Sequence, residues 1–545
     1  VITVPITHFK TSDFLRDFLQ GASPARSMFN NNVVTAELCK KRAQHGASKS
    51  RLKTLFENGL RGTTISEAQQ NSLISITQPN AVVVCGGQQI GMFGGPLYTL
   101  LKMRSIVVEA NSISAEFGVP VVPVFWLEDV DHDAAEASEV WLTSADGSAE
   151  CKSVWDGTKD KLPSFKRHFS ESEIDAIRDL GKGLIGQYGE QVQQLVSGTY
   201  LVGRTWTEAF LDILEPFMQA WGVVVVRASD VVLYGMHAPI CIRDCEQTDE
   251  LAKQIEKSSQ LLESNGYHRQ ATVQPFQFLV ETPNGRNRIE PHHNPLSNDS
   301  SVSINGVPYT IQQLVELARF HPEQFSPGVL ARPLVQDAIL PTVATILGGA
   351  EIAYHAQLFH AYQWFGIEQP VPMLRHSACI IDTKTARQLE KSGKAAEWFF
   401  RSWEQIEASA TDDISKNAVP SAETGAPLIN ELLSPFQKSA ENIDSTLVRN
   451  IHAANVAMQQ QLSAIEAKLK SALKKQNSVL MDRLRAVWWA VYPNSTLQER
   501  VYPLLWFVAK HGNDEVRIIV EEACGVPRGN VAIVDLTHTL TTGIK

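Results

Sequence analysis

Between residues 80 and 126 the chain presents a strand, a glycine-rich loop, a helix and a second strand, and this succession constrains its fold most strongly. Ala81-Val-Val-Val-Cys85 is short, apolar and rich in β-branched residues, and Gly86 and Gly87 close it. A run apolar on both faces suits a strand inside a parallel sheet. LYTLLKMRSIVVEAN (97–111) reads as a crossover helix and VPVVPVFW, ending at Trp126, as the next strand. Strand, glycine loop, helix, strand is the opening of a Rossmann-like parallel sheet. GVVVVRASD after Trp221 and SACIID ending at Asp382 continue the α/β alternation.

With 545 residues the chain exceeds one ordinary domain. Residues 270–327 are rich in Pro, Asn, Ser and His and read as a loop-rich insertion, with His292 and His293 as solvated loop residues. Residues 428–490 are nearly free of Pro and Gly. There Met458, Leu462, Ile465, Leu469 and Ala472 step by four, three, four and three, the spacing of a coiled-coil seam; Leu447, Ile451 and Ala454 extend it with one slip in phase. The stretch 420–427 would join this helix to an earlier one at 385–409 as a helical hairpin, and 492–545 returns to mixed α/β character. The expected division is a Rossmann-like core with insertions at 1–383, a helical coiled-coil domain at 384–490 and a C-terminal segment packing back on the core at 491–545.

Several classes are disfavoured. Acids outnumber bases 59 to 49, a net charge of −10, against the basic excess of a generic nucleic-acid binder. The longest apolar stretch, 338–350, is too short for a membrane span and Pro341 interrupts it. The N-terminus lacks a signal-peptide pattern. Seven cysteines are scattered, and Cys241 and Cys245 are spaced neither as a redox CxxC nor as half a zinc finger. A reduced, cytoplasmic protein is expected.

Three segments carry candidate chemistry. In GQQIGMFGGPLYT (87–99), Gly91, Gly94 and Gly95 would let the backbone approach a ligand, a helix starting near Pro96 would aim N–H groups at an anion, and Lys102 would add a charge. The bland reading is a tight turn whose glycines serve packing; neither GxGxxG nor the P-loop pattern is present. Beyond the second strand lie Glu128, Asp129, Asp131, His132, Asp133 and Glu136, where ligands of open α/β sheets bind. His132 would serve as general base with a flanking Asp, or His and Asp would hold a metal, or the loop is simply acidic and solvated. In the third segment Arg332 and Gln336 share a helical face, as do Glu351, Tyr354 and Gln357. Arg332 would grip a carboxylate or phosphate, or form a structural ion pair with Asp337. The aromatics Trp488, Trp489, Tyr492, Tyr502, Trp506 and Phe507 read as core. No nucleophile elbow or HExxH occurs.

Four ordered blocks resemble the bacillithiol biosynthesis cysteine-adding enzymes: GQQ-x-G-x-x-GGPLYT-x-x-K at 87–102, VPVFW with DHD at 122–133, RPL-x-Q-D through LP and GG-x-E-x-A-Y at 332–354, and QERV with KHG at 498–512. The resemblance implies a Rossmann-like core related to class I aminoacyl-tRNA synthetases, connecting insertions and a coiled-coil domain that promotes a homodimer. It also implies amide formation between the carboxyl of cysteine and the amine of glucosaminyl malate. Asp131, His132 and Asp133 would be catalytic. Gln88, Gln89, Gly94, Gly95, Tyr98, Lys102, Arg332, Gln336, Glu351 and Tyr354 would bind substrate, and Asp382, Arg500 and Lys510 a nucleotide. The family usually shows Glu-Asp-His-Asp, whereas here Val130 precedes Asp131 and the acids stand at Glu128 and Asp129; Glu139 and Pro503 also depart, replacing a common His and Asn. Amide formation needs an activated carboxylate, so ATP, possibly with Mg, is the expected activator. Zinc is not expected. The competing readings are another adenylate-forming or nucleotidyl-transfer enzyme, and a non-catalytic dimeric nucleotide-binding scaffold.

Overall fold

The computed structural model describes residues 1–144, 147–155, 157, 161–247, 249–283, 285–292, 301–416 and 418–537. The chain divides into two compact units: Val1–Ile380 with Gln498–Val534, and Ile381–Leu497 with the residues from Asp535.

At the heart of the first unit is a five-stranded sheet of β1 (Val82–Gln89), β2 (Val121–Glu128), β3 (Val224–Arg227), β4 (Thr342–Leu347) and β5 (Val371–Leu374). All neighbours are parallel, in the order β5-β4-β1-β2-β3. The chain thus moves outward from β1 to β3 and returns to the other side of β1, leaving a topological switch point between β1 and β4. Crevices for ligands open at the carboxyl ends of strands at such a point. Three helices frame it: α1 (Tyr98–Phe117) after β1, α2 (Arg332–Ile339) before β4 and α3 (Gly349–Ala356) after it. The architecture is the expected Rossmann-like α/β core.

Two sequence expectations need correction. SACIID does not join this sheet: Ser377–Ile381 lies in a separate three-stranded sheet with Asn530–Asp535 and Ile2–Pro5. Its place is taken by β4, which the sequence hides inside the apolar stretch 338–350. Nor is 270–327 loop-rich. It holds five antiparallel strands, Val307–Thr310, Ser301–Ile304, Gly285–His292, Phe278–Thr282 and Phe325–Pro327 in spatial order, and the helix Ile311–Phe320. Strands with a solvated face carry polar residues in alternation, and that composition mimics a loop. His292 ends one of these strands; His293 lies outside the described residues.

The second unit is helical: Thr383–Ser392, Trp403–Ser415, α4 (Ala422–Ile443), α5 (Leu447–Gln476) and Ser478–Val491. The hairpin is formed by α4 and α5, not by 385–409 with 428–490. The prolines expected in the connection include Pro427, which lies inside α4, where it forgoes one i→i−4 hydrogen bond without ending the helix. The turn falls instead at Asp444, whose Oδ1 accepts from Thr446 N at 2.9 Å. No helix among the described residues is long and apolar enough to cross a membrane.

Candidate active site

β1 and β2 pair along their whole length, so Gln89 stands beside Glu128 where both strands end. The loop after β2 then turns sharply. Asp129 is drawn into the interior, its carboxylate accepting from Ser229 N at 2.8 Å and Ser229 Oγ at 2.7 Å, while burial pushes its pKa up to about 6. Val130 is 1% exposed, so this position is an apolar plug. Asp131 accepts from Gln89 Nε2, from His132 N at 2.7 Å and from Arg286 Nη1 at 3.4 Å. His132 Nδ1 lies 3.3 Å from Arg286 Nη1 and 3.5 Å from Asp131 Oδ1. Burial and the Arg286 charge hold its pKa below the ordinary histidine value. Asp133 does not orient His132; it caps the helix Ala134–Ser138 by accepting from Glu136 N at 3.0 Å. Glu128 accepts from Trp126 Nε1 at 2.9 Å, and burial raises its pKa to about 7.

Across the switch point, Lys102 projects from α1 and spends its three donors on Gly87 O at 2.6 Å, Gln88 Oε1 at 3.2 Å and Glu351 Oε2 at 2.7 Å. It ties β1 to α3 and has no N–H left for an anion. Glu351 Oε2 also accepts from Gly348 N at 2.5 Å. Although burial favours the acid form, Lys102, Gly348 and Arg332 together hold the Glu351 pKa below the usual carboxylate value. Arg332 Nη2 donates to Tyr354 OH at 2.9 Å and Nη1 to Gln336 Oε1 at 3.2 Å. A Cβ on Gly87 would sit 3.2 Å from Arg332 Nη1, so this glycine admits the guanidinium beside β1. The Arg332–Asp337 ion pair does not form. Asp337 accepts instead from Tyr362 OH at 2.5 Å and Gln336 Nε2 at 3.0 Å.

Lys102, Glu128, Asp131, His132, Arg332, Glu351 and Tyr354 line a cleft with two lobes that share Gln88, Gln89, Tyr98, Glu128, Asp131 and Arg500, whereas Gln336, expected to bind substrate, is buried behind its wall. The smaller lobe is about 250 Å³; among its described lining residues are five carboxylates, Glu128, Asp131, Asp133, Glu136 and Glu139, against the single cation Arg500. The larger is about 1140 Å³, and seven cationic side chains on its described wall face four carboxylates. One lobe therefore favours an ammonium group and the other an anion.

Of the glycine loop, Gly95 lines the small lobe, but Gly94 is packed against protein: a Cβ there would meet Ile213 and Leu504 at 2.9 and 3.0 Å. The entry to α1 is closed by protein as well, with Leu97 N donating to Tyr502 O at 3.2 Å and Thr99 N to Pro96 O at 2.9 Å. Arg500 and Tyr98 reach the cleft. Asp382 instead caps Thr383–Ser392 in the helical unit, accepting from Thr385 N at 2.8 Å, and Lys510 Nζ lies 3.5 Å over the Trp506 ring. Neither is among the residues lining the cleft.

Sequence reasoning passed over Arg286, hidden in the segment read as loop, and Arg375. Arg375 pairs with Glu499 at 2.6 Å, and its Cζ lies 5.1 Å from the centre of the Tyr98 ring. The QERV block has a structural use: Glu499 Oε2 accepts from Ala378 N at 2.7 Å and Gln498 Oε1 from Ile380 N at 2.8 Å, docking Arg500 at the cleft.

Comparison with known proteins agrees with the fold. Residues 2–376 match the family model described as bacillithiol biosynthesis BshC, N-terminal Rossmann-like domain, and residues 378–524 match that of the BshC C-terminal coiled-coil domain. Relatives provisionally named cysteine ligase BshC include those of Salinibacter ruber, 26% identical over 82% of both chains, and Chlorobaculum tepidum, 27% identical over 82% of both. Another, from Geobacillus thermodenitrificans, is 26% identical over 93% of this chain and 95% of its own.

Proposed function

The chain belongs to the bacillithiol biosynthesis BshC family, and from that membership we propose that it is a ligase joining the carboxyl of cysteine to the amine of glucosaminyl malate. The observation that carries the reading is the division of charge along the cleft, with a carboxylate-rich lobe meeting a guanidinium-rich one at Glu128 and Asp131. An amine and a polyanionic partner are thereby drawn to adjoining positions, which is what amide formation between these substrates requires.

ATP supplies the activation, converting the carboxylate into an acyl phosphate or acyl adenylate. The larger lobe fits a nucleotide in volume and in its guanidinium groups, of which Arg375 and Arg500 flank Tyr98. The chain's own work is then to align the two substrates and to handle one proton. The amine nitrogen attacks the activated carbon, the C–N bond forms, the bond to the phosphate-bearing oxygen breaks with its electron pair, and the nitrogen gives up a proton. Asp131 and His132 line the larger lobe beside the proposed point of attack. The coiled-coil unit is assigned to a homodimer, and the reducing cytoplasm is the compartment this thiol chemistry implies.

The test is mass-spectrometric detection of product from purified protein, cysteine and glucosaminyl malate, with and without Mg-ATP. Product that depends on ATP supports the ligase. No product from folded protein under any condition favours another acceptor or a scaffold. His132→Asn is expected to lower turnover by roughly 10²-fold or more while substrate binding, followed by calorimetry, changes little.

A further inference from the structure

Resting on the ligase reading, a question remains about the amine proton: which group accepts it. His132 was the expectation, but its Nδ1 faces the Arg286 guanidinium at 3.3 Å. Arg286 is itself fixed. It is 4% exposed, its Nε donates to Ser326 Oγ at 2.8 Å and its Nη2 to Pro327 O at 3.0 Å, so Nη1 is held toward the loop. A guanidinium only donates, so His132 Nδ1 accepts and the ring proton sits on Nε2. In that tautomer His132 is a donor, suited to a carbonyl or oxyanion, and has no lone pair left for an ammonium proton.

The other acids of the loop are committed. Asp131 is occupied by Gln89, His132 N and Arg286, Asp129 is consumed by Ser229, and Asp133 caps a helix. Val130, where the family pattern carries an acid, is apolar and buried. Glu128 differs from all of these. It lines both lobes, and among the described residues only its Oε2 has a hydrogen-bond partner, Trp126 Nε1, which leaves Oε1 to the cleft.

We propose that Glu128 is a catalytic residue of this chain: its carboxylate takes the proton from the substrate ammonium where the two lobes meet, freeing the lone pair that attacks. The nitrogen forms the amide bond and sheds its second proton to the departing phosphate-bearing oxygen as that oxygen leaves the carboxyl carbon, and Glu128, now a neutral acid, later releases its proton to water. The charges acting on it are Arg332 and Arg286, which favour the carboxylate, and Asp131, which disfavours it; burial outweighs them and places its pKa at about 7. A base with a pKa near the working pH combines availability with driving force.

Two measurements on the full chain test the assignment. In the first, Glu128→Gln is assayed with glucosaminyl malate and, separately, with hydroxylamine, a nucleophile already neutral at pH 7. Ligation should fall by roughly 10²-fold or more while cysteine hydroxamate forms at close to the wild-type rate. Equal loss of both products, or unchanged ligation, overturns the proposal. The second needs no turnover, so it separates this proposal from the ligase reading itself. The indole N–H resonance of Trp126, assigned with Trp126→Phe, should titrate with a midpoint near pH 7 in the wild type and stay still in Glu128→Gln. No titration between pH 6 and 8 overturns the role of Glu128 even if the ligase reaction is found.

Discussion

Asp244 is 1% exposed, and its Oδ2 accepts from Gln277 N at 2.8 Å while Oδ1 has no partner among the described residues. Burial raises its pKa from 3.8 to about 7. The folded chain therefore binds this proton more tightly than the unfolded one. The stability it contributes is complete below about pH 4 and is lost as pH rises through about 7. Asn keeps the acceptor and removes the charge, so Asp244→Asn should stabilise the protein by on the order of 1–2 kcal/mol at pH 5 and by on the order of 4 kcal/mol at pH 8. Urea titrations at the two pH values check this, and equal effects at both would refute it. Single residues are also where the sequence was least legible. Asp131 and His132 could be picked out because several acids and a histidine follow a buried strand. Nothing local reveals that Lys102 is saturated by Gly87, Gln88 and Glu351, or that Asp129 is spent on Ser229, because each partner is remote in sequence or hidden in the backbone. Charge type reads directly from sequence; whether a charge is already paired does not.

At the scale of elements, legibility followed burial on both faces. β1, β2 and β3 are continuous apolar runs and announce themselves. β4 is equally apolar but merges with the hydrophobic residues around it, and the antiparallel insertion alternates with polar residues until it resembles a loop. Close packing between elements is similarly invisible until the fold is known. The helix Lys49–Gly59 ends so close to β3 that a Cβ on Gly59 would lie 1.8 Å from Val225 O, a backbone atom that cannot swing away. Gly59→Ala must therefore push the helix off the sheet and should cost roughly 3 kcal/mol or more. Gly198, within the helix Gly189–Thr199, has nothing within 4 Å of its Cβ position. Gly198→Ala should stabilise by about 0.5–1 kcal/mol through helix propensity and the lost freedom of the unfolded chain. Thermal melts of the pair separate the two cases. Similar shifts for both would mean that backbone contact at β3 is not what selects glycine at position 59.

For the whole molecule, the coiled-coil spacing was legible, but the hairpin covers only part of its seam. No residue of α5 is buried, and only Ala440 is buried in α4. The seam positions Met458, Ile465 and Leu469 are 41%, 52% and 47% exposed, so pairing α5 with α4 leaves them open. On α4, Leu428, Leu432, Phe436 and Ile443 are 60% exposed or more, and an apolar groove of about 600 Å³ runs between the two helices from Leu432 to Met458. Exposed apolar surface on that scale marks an association site. A second copy is the occupant that the coiled-coil family assignment favours, because two equivalent hairpins present matching apolar strips to one another. Leu432→Glu with Phe436→Glu places charge on side chains that already face solvent in the single chain, so each subunit should fold as before. Light scattering after size exclusion should report a dimer for the wild type and a monomer for the double variant, with an unchanged circular dichroism spectrum. A wild-type monomer at micromolar concentration would rule out the dimer, and a dimeric double variant would move the interface elsewhere on the chain.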